Sequence, residues 1–470
     1  MGNQGHRMGR RRTGIILKPL FCALFSGILL FASAAEAEDF ADPFSVLSTK
    51  ATPADCLSPD IDNKALSLKD LLNIAICNNP TLATSYMQAK SAEASYGKAL
   101  SAYLPSLDAS ANIKGARNKN TSAADDGWQN SSSIGGSLTL SWLVYDFGSR
   151  EADRDIAQKM LEQANFTKNQ TLQDTVFNVI SAYYSLLSAQ EALTVAKTNE
   201  ETYLKSYQIA LKKYELGLVK LSDKLQAETS LGQSQYAVAE SEAALTKARG
   251  KLAELLNLSA ATELDLAEVT LSAEDGKFEG DPKDLIDEAL ARRADIKASE
   301  AATAAAKLAI DKAEAANYPS ISFSTGASAT DNLSGGSGQS YSGNIGLGIS
   351  VPLFTGFANT YSTITKRYDY EAQKDKLAAL ESTIRQDVWN KYQDYVTSVK
   401  NYDISQKLFI SASESFKVTS GAYKAGKGNI LELLNAQAAL AEARREKSSS
   451  LYDLLLAKND LLRAIGKVEI

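Results

Sequence analysis

Histidine is almost absent from this chain of 470 residues: His6 is the only one, and it lies in a leading segment set aside below. What remains cannot host Ser/His/Asp or Cys/His catalysis, nor a His-ligated zinc. There is no cluster of metal ligands and no Gly-rich phosphate loop, so neither a cofactor nor an enzymatic activity is expected. Basic excess is lacking too. The formal charge is −6, whereas a nucleic-acid partner needs a dense basic face to meet its phosphates. Beyond the leader, no apolar run approaches the ~18 residues of a spanning helix. The chain is therefore soluble or enters a membrane as strands. Prolines number only nine, and none falls within 149–214 or 358–424, so unusually long helices are permitted there.

Arg7, Arg10, Arg11, Arg12 and Lys18 precede an apolar run from Leu20 to Phe31, and Ala35 and Ala37 stand two apart like a cleavage site. This pattern predicts a secretory signal peptide over 1–37; the run is short for the alternative, an uncleaved anchor. Of three cysteines, Cys22 lies inside the leader, without the small residues before it that a lipid acceptor needs. Cys56 and Cys77 remain. In an oxidising compartment they are expected to pair, pinning the N-terminal segment to the first helix, with two buried free thiols as the alternative.

The length exceeds what one compact core usually fills, about 250 to 300 residues, so the chain should divide or repeat. It repeats. Leu71, Ala75, Leu82, Pro105 and Leu107 correspond to Leu285, Ala289, Ile296, Pro319 and Ile321 at a constant offset of 214. Further on, Tyr145, Tyr183, Tyr214, Gly217 and Leu221 correspond to Phe354, Tyr392, Tyr423, Gly426 and Ile430 at an offset of 209. The expected organisation is a signal peptide (1–37), an N-terminal extension (38–65), a first repeat (66–258), an acidic linker (259–281) and a second repeat (282–470).

Within each repeat the hydrophobic period switches between helix and strand values. Residues 67–101 read as one helix. Leu107, Ala109, Ala111 and Ile113 then alternate with polar residues, as do Ile134, Leu138, Leu140 and Trp142, giving a hairpin of two-faced strands. Ile321, Phe323, Ala327 and Ala329, then Ile345, Leu347, Ile349 and Leu353, repeat the pattern. The stretches 116–133 and 330–342, rich in Gly, Ser, Asn and Asp, read as loops. Long helices follow, about Ser149 to Tyr214 and Ala358 to Lys424, each ~100 Å at 1.5 Å per residue. Val176, Val179, Tyr183, Leu186 and Leu193 recur at coiled-coil spacing. Each long helix meets a Gly-containing turn and returns as a shorter one.

Four strands cannot close a wall. In lipid an open sheet edge strands backbone groups at several kcal/mol each, so other copies must supply the missing edges, and eight or twelve strands would need a dimer or a trimer. A soluble sandwich is the alternative, but it leaves the long helices unexplained.

The order helix, Pro, strand hairpin, long helix, Gly turn, returning helix, written twice, resembles the TolC-type outer-membrane efflux proteins. So do the phrases at Asn79, Pro80 and Leu82, at Leu104 and Pro105, and at Tyr145 to Gly148. The resemblance covers essentially all of the chain after the leader. It implies a mainly α fold with β: a homotrimer contributing four strands per chain to a twelve-stranded transmembrane β-barrel in outer-membrane lipid, continued by a long α-helical coiled-coil periplasmic barrel. It also implies a periplasmic adaptor and an inner-membrane transporter as partners, for type I protein secretion or multidrug efflux. A trimeric coiled-coil structural protein or adhesin is the competing reading, though it has no use for two-faced strands. The resemblance further suggests a gate at the helical tips, with Tyr423 linked to Asp223. The family arginine five residues after the tyrosine is here Gly428, which leaves one latch missing or supplied by Lys220 or Lys427. Glu432 matches one acidic ring at the constriction, while the second position is Asn435. Leu216, Gly217 and Leu218, with Gly426 in the sister turn, resemble adaptor-contact tips. Ordinary solvated helix faces and plain turn chemistry are the bland readings of these residues.

Overall fold

The computed structural model describes residues 65–467, except 120–127, 263, 268–271, 273 and 335–337. The expected signal peptide and Cys56 lie outside the described residues. Among the described residues twelve elements follow one another: α1 (Leu68–Asn78), α2 (Pro80–Ser101), β1 (Ser106–Lys119), β2 (Trp128–Tyr145), α3 (Ser149–Glu215), α4 (Leu221–Leu255), α5 (Pro282–Arg292), α6 (Ala294–Ala315), β3 (Ser320–Ser334), β4 (Gly338–Ser350), α7 (Ala358–Lys424) and α8 (Ile430–Ile465). These residues are mostly helical, with one four-stranded sheet among them. Among the described residues no helix is long and apolar enough to cross a membrane.

The helix expected over 67–101 is two helices. Pro80 has no N–H to continue the ladder and disfavours helical backbone at the residue before it, so Asn79 swings to ψ 118° and becomes the break. Its Oδ1 then accepts from Thr81 N (2.9 Å) and Leu82 N (3.1 Å), capping α2, while its Nδ2 donates to the Leu255 carbonyl (3.3 Å). Arg293 makes the corresponding break between α5 and α6, at ψ 133°. Its guanidinium donates to the Ala464 carbonyl (2.9 Å), with Asp295 at 2.8 Å and Asp387 at 3.3 Å alongside. One break is thus held by a neutral amide and the other by an ion-pair cluster.

The four strands pair antiparallel in the order β1-β2-β3-β4. Part of each expected loop is strand, because pairing continues through the Gly/Ser-rich ends as far as Lys119↔Trp128 and Asn332↔Gly338. Cross-strand contacts offset the weak propensity there: the Arg117 guanidinium lies 4.9 Å over the Trp128 ring. The register sorts most apolar side chains onto one face and most serines onto the other, with Thr325 among the apolar residues and Leu143 among the serines. Leu107, Leu140, Thr325 and Ile345 form one row, and Trp142, Phe323 and Leu347 another. On the opposite face Ser110, Ser137, Ser328 and Ser342 align, with Oγ–Oγ bonds of 2.9 Å (Ser110–Ser137) and 2.7 Å (Ser328–Ser342).

Two apolar clusters sit at mid-height of the long helices. Val176, Val179, Tyr183 and Leu186 of α3 pack on Leu71, Leu72, Ile74 and Ala75 of α1 and on Leu252 of α4. Ile384 and Val388 of α7 pack on Leu285 and Ala289 of α5 and on Leu461 and Ile465 of α8, and Phe177 crosses into this second cluster from α3. Each fully buried side chain of this size contributes roughly 1.5–3 kcal/mol. Cys77, near the end of α1, is disulfide-bonded.

Candidate functional site

The two helical hairpins end in turns of the same construction. Where α3 ends, Leu218 N donates to the Lys213 carbonyl (2.8 Å) and Gly217 N to the Tyr214 carbonyl (2.9 Å), with Gly217 at φ +72°. Where α7 ends, Lys427 N donates to the Ala422 carbonyl (2.9 Å) and Gly426 N to the Tyr423 carbonyl (3.2 Å), with Gly426 at φ +74°. This satisfies carbonyls that a helix end would otherwise leave open, and the left-handed residue it requires is why each turn holds a glycine. Asn429 then caps α8: its Oδ1 accepts from Glu432 N (2.8 Å) and its Nδ2 donates to Glu432 Oε1 (2.9 Å).

The turns differ in what they expose. Leu216 (73 %) and Leu218 (69 %) stand in solvent on the first turn, where the second carries Ala425 and Lys427. Tyr214 is 39 % exposed, but its counterpart Tyr423 is 2 % exposed. It packs with Ala210 of α3, Ala227 of α4, and Ile430, Leu433 and Leu434 of α8. Burial first, and the Asp223 carboxylate second, push the Tyr423 phenol above its usual range, so it stays neutral at any physiological pH.

The structure thus places Asp223 within electrostatic reach of Tyr423, but the expected hydroxyl-to-carboxylate bond is not made. The Tyr423 hydroxyl is buried without a hydrogen-bond partner, while Asp223 Oδ1 accepts from the Ser222 hydroxyl (3.1 Å). Lys220 and Lys427, the expected stand-ins for the missing arginine, are exposed. A Cβ at Gly428 would lie 3.3 Å from Tyr423 N and 3.4 Å from Ala422 Cβ, so the second turn folds back too closely on α7 to take a larger residue without shifting. Glu432 and Asn435 are exposed on one face of α8. The residue that the sequence reading missed is Lys213. Its ammonium donates to the Tyr423 main-chain carbonyl and lies 4.0 Å over the Tyr423 ring. Nothing in the local pattern marks it, since the contact joins residues 210 positions apart.

A four-stranded sheet with one mainly apolar and one mainly polar face is thus joined to helical hairpins ~100 Å long, the parts of an elongated membrane-associated protein. The family model described as outer membrane efflux protein matches residues 71–258 and 285–467. The chain belongs to that family, which places it in the outer membrane as an efflux channel and not as an enzyme. It is 28 % identical over 413 residues to protein CyaE of Bordetella pertussis, covering 86 % of this chain and 84 % of that one. To the outer membrane protein TolC of Vibrio cholerae it is 24 % identical, covering 86 % and 91 %. The outer-membrane channel OprN shares the fold at a TM-score of 0.76 and 20 % identity, covering 92 % of this chain and 98 % of that one.

Proposed function

We propose that this protein is the outer-membrane exit duct of a tripartite export system, a passive conduit assembled from three copies and opened at its helical tips by a periplasmic adaptor and an inner-membrane transporter. The observation that carries this reading is the sheet. Its outer strands β1 and β4 each pair on one side only, and in a bilayer such edges need partners. Three copies supply a twelve-stranded barrel in which the rows of Leu107 and Trp142 face outer-membrane lipid and the Ser110 row lines the lumen. The recurrence of elements, with lengths of 11, 22 and 67 residues in each half for the first two helices and the long helix, supports an internal two-fold repeat with bounds near 66–258 and 282–470. Asp223, Tyr423, Lys427, Glu432 and Asn435 form the gate region, Leu216, Gly217, Leu218 and Gly426 the adaptor-contact tips, and Cys56 is the partner of Cys77. Cargo is a secreted protein or small molecules. A structural coiled coil without a channel fits less well, because a sheet with one mainly apolar and one serine-rich face has no role in it.

Cross-linking and native mass determination in detergent, with conductance in planar bilayers, test the proposal. Trimers that form channels are expected; a monomer that stays dispersed without detergent would overturn it.

A further inference from the structure

Lys213 stands in the last turn of α3, yet its ammonium reaches across to the end of α7. There it meets two features that attract a cation. One is the Tyr423 carbonyl, within the last turn of α7, where the partial negative charge of the helix end gathers. The other is the face of the Tyr423 ring, 4.0 Å away. Because Lys213 also gives its own carbonyl to Leu218 N at 2.8 Å, it is built into one turn while clamped to the other. The Tyr423 hydroxyl takes no part, being buried and unbonded. From this geometry, and resting on the reading of the tips as a gate, we infer that Lys213 is the latch between the two helical hairpins of each chain, acting on the carbonyl and ring face of Tyr423 and not on its hydroxyl. Parting the tips then requires the ammonium to leave both acceptors. Lys213 is a positioning residue: it sets how α7 and α8 lie against α3.

The latch makes an unusual demand on substitutions. Tyr423→Phe keeps the carbonyl and the ring face, so it leaves the latch in place. Tyr423→Leu removes the ring face, and Lys213→Met removes the donor and the cation, whereas Lys213→Arg keeps both. In planar bilayers the open-to-closed ratio is expected to rise about tenfold or more for Lys213→Met and several-fold for Tyr423→Leu. It should stay within about twofold of the unmodified channel for Tyr423→Phe, Lys213→Arg and the exposed neighbour Lys212→Met. Equal opening by Tyr423→Phe and Lys213→Met, or no opening by Lys213→Met, overturns the assignment. A protein that forms no channel would refute the conduit reading, and a second measurement then decides the latch alone. Amine-reactive labelling of the purified protein, read by mass spectrometry, should modify Lys213 at least about tenfold more slowly than Lys212, with protection lost in Tyr423→Leu and kept in Tyr423→Phe. Lys213 labelled as fast as Lys212 would sink the proposal.

Discussion

Arg293→Met probes how the second helix break is held. The wild-type guanidinium satisfies the Ala464 carbonyl at 2.9 Å, pairs with Asp295 at 2.8 Å and reaches Asp387 at 3.3 Å, with its side chain 20 % exposed. Met keeps most of the apolar stem but leaves the half-buried Asp295 without its cation and a carbonyl near the end of α8 without its donor. A hydrogen bond to a charged group is worth roughly 1.5–3 kcal/mol, and solvent access trims the ion-pair part, so a loss of about 3 kcal/mol is expected. That corresponds to roughly 3 °C in the apparent melting midpoint of the detergent-solubilised protein, followed by circular dichroism. Arg293→Asn is the informative companion. It imports the arrangement of Asn79, whose amide serves the Leu255 carbonyl at 3.3 Å, and should recover about half of the loss. As a control, Arg463→Met breaks a pair with Asp174 that is 48 % and 37 % exposed and should cost less than about 1 kcal/mol. Equal melting of wild type and Arg293→Met would refute the view that this ion-pair cluster holds the break.

Ile345→Arg or Ile349→Arg, on the apolar face of β4, should cost about 2–4 kcal/mol of membrane stability and reduce the outer-membrane fraction on sucrose gradients, while Ser328→Asn on the other face should not. Glu432→Gln should weaken cation preference, measured as a reversal-potential shift in a salt gradient; unchanged selectivity would remove Glu432 from the constriction. Cys56→Ser and Cys77→Ser should each lower stability equally, by about 3 kcal/mol for a loop of some 20 residues, and unequal losses would break the proposed pair.

Much of the architecture was legible because its causes are local. Period-two alternation, the run without proline and the Gly turns placed α3 and α7 to within a residue or so of Ser149–Glu215 and Ala358–Lys424. The break at Asn79 was legible too, since Pro80 follows it, but the apolar spacing carried the reading across it. Strand ends were underestimated because Gly/Ser-rich composition reads as loop, whereas hairpin pairing carries each strand on to Lys119↔Trp128 and Asn332↔Gly338.

The tips show the limit. By sequence alone Tyr214 and Tyr423 are equivalent, as are Leu225 and Leu434, because duplication preserved their places in the pattern. Tertiary structure separates them: Tyr423 and Leu434 are buried beside α3 and α4, whereas Tyr214 and Leu225 are exposed. Local periodicity sets which face of a helix is apolar, so the helices and strands followed from the sequence. Which apolar face is covered, and that Lys213 should meet Tyr423, depends on how two hairpins remote in sequence lie against each other, and no local pattern encodes a contact between them.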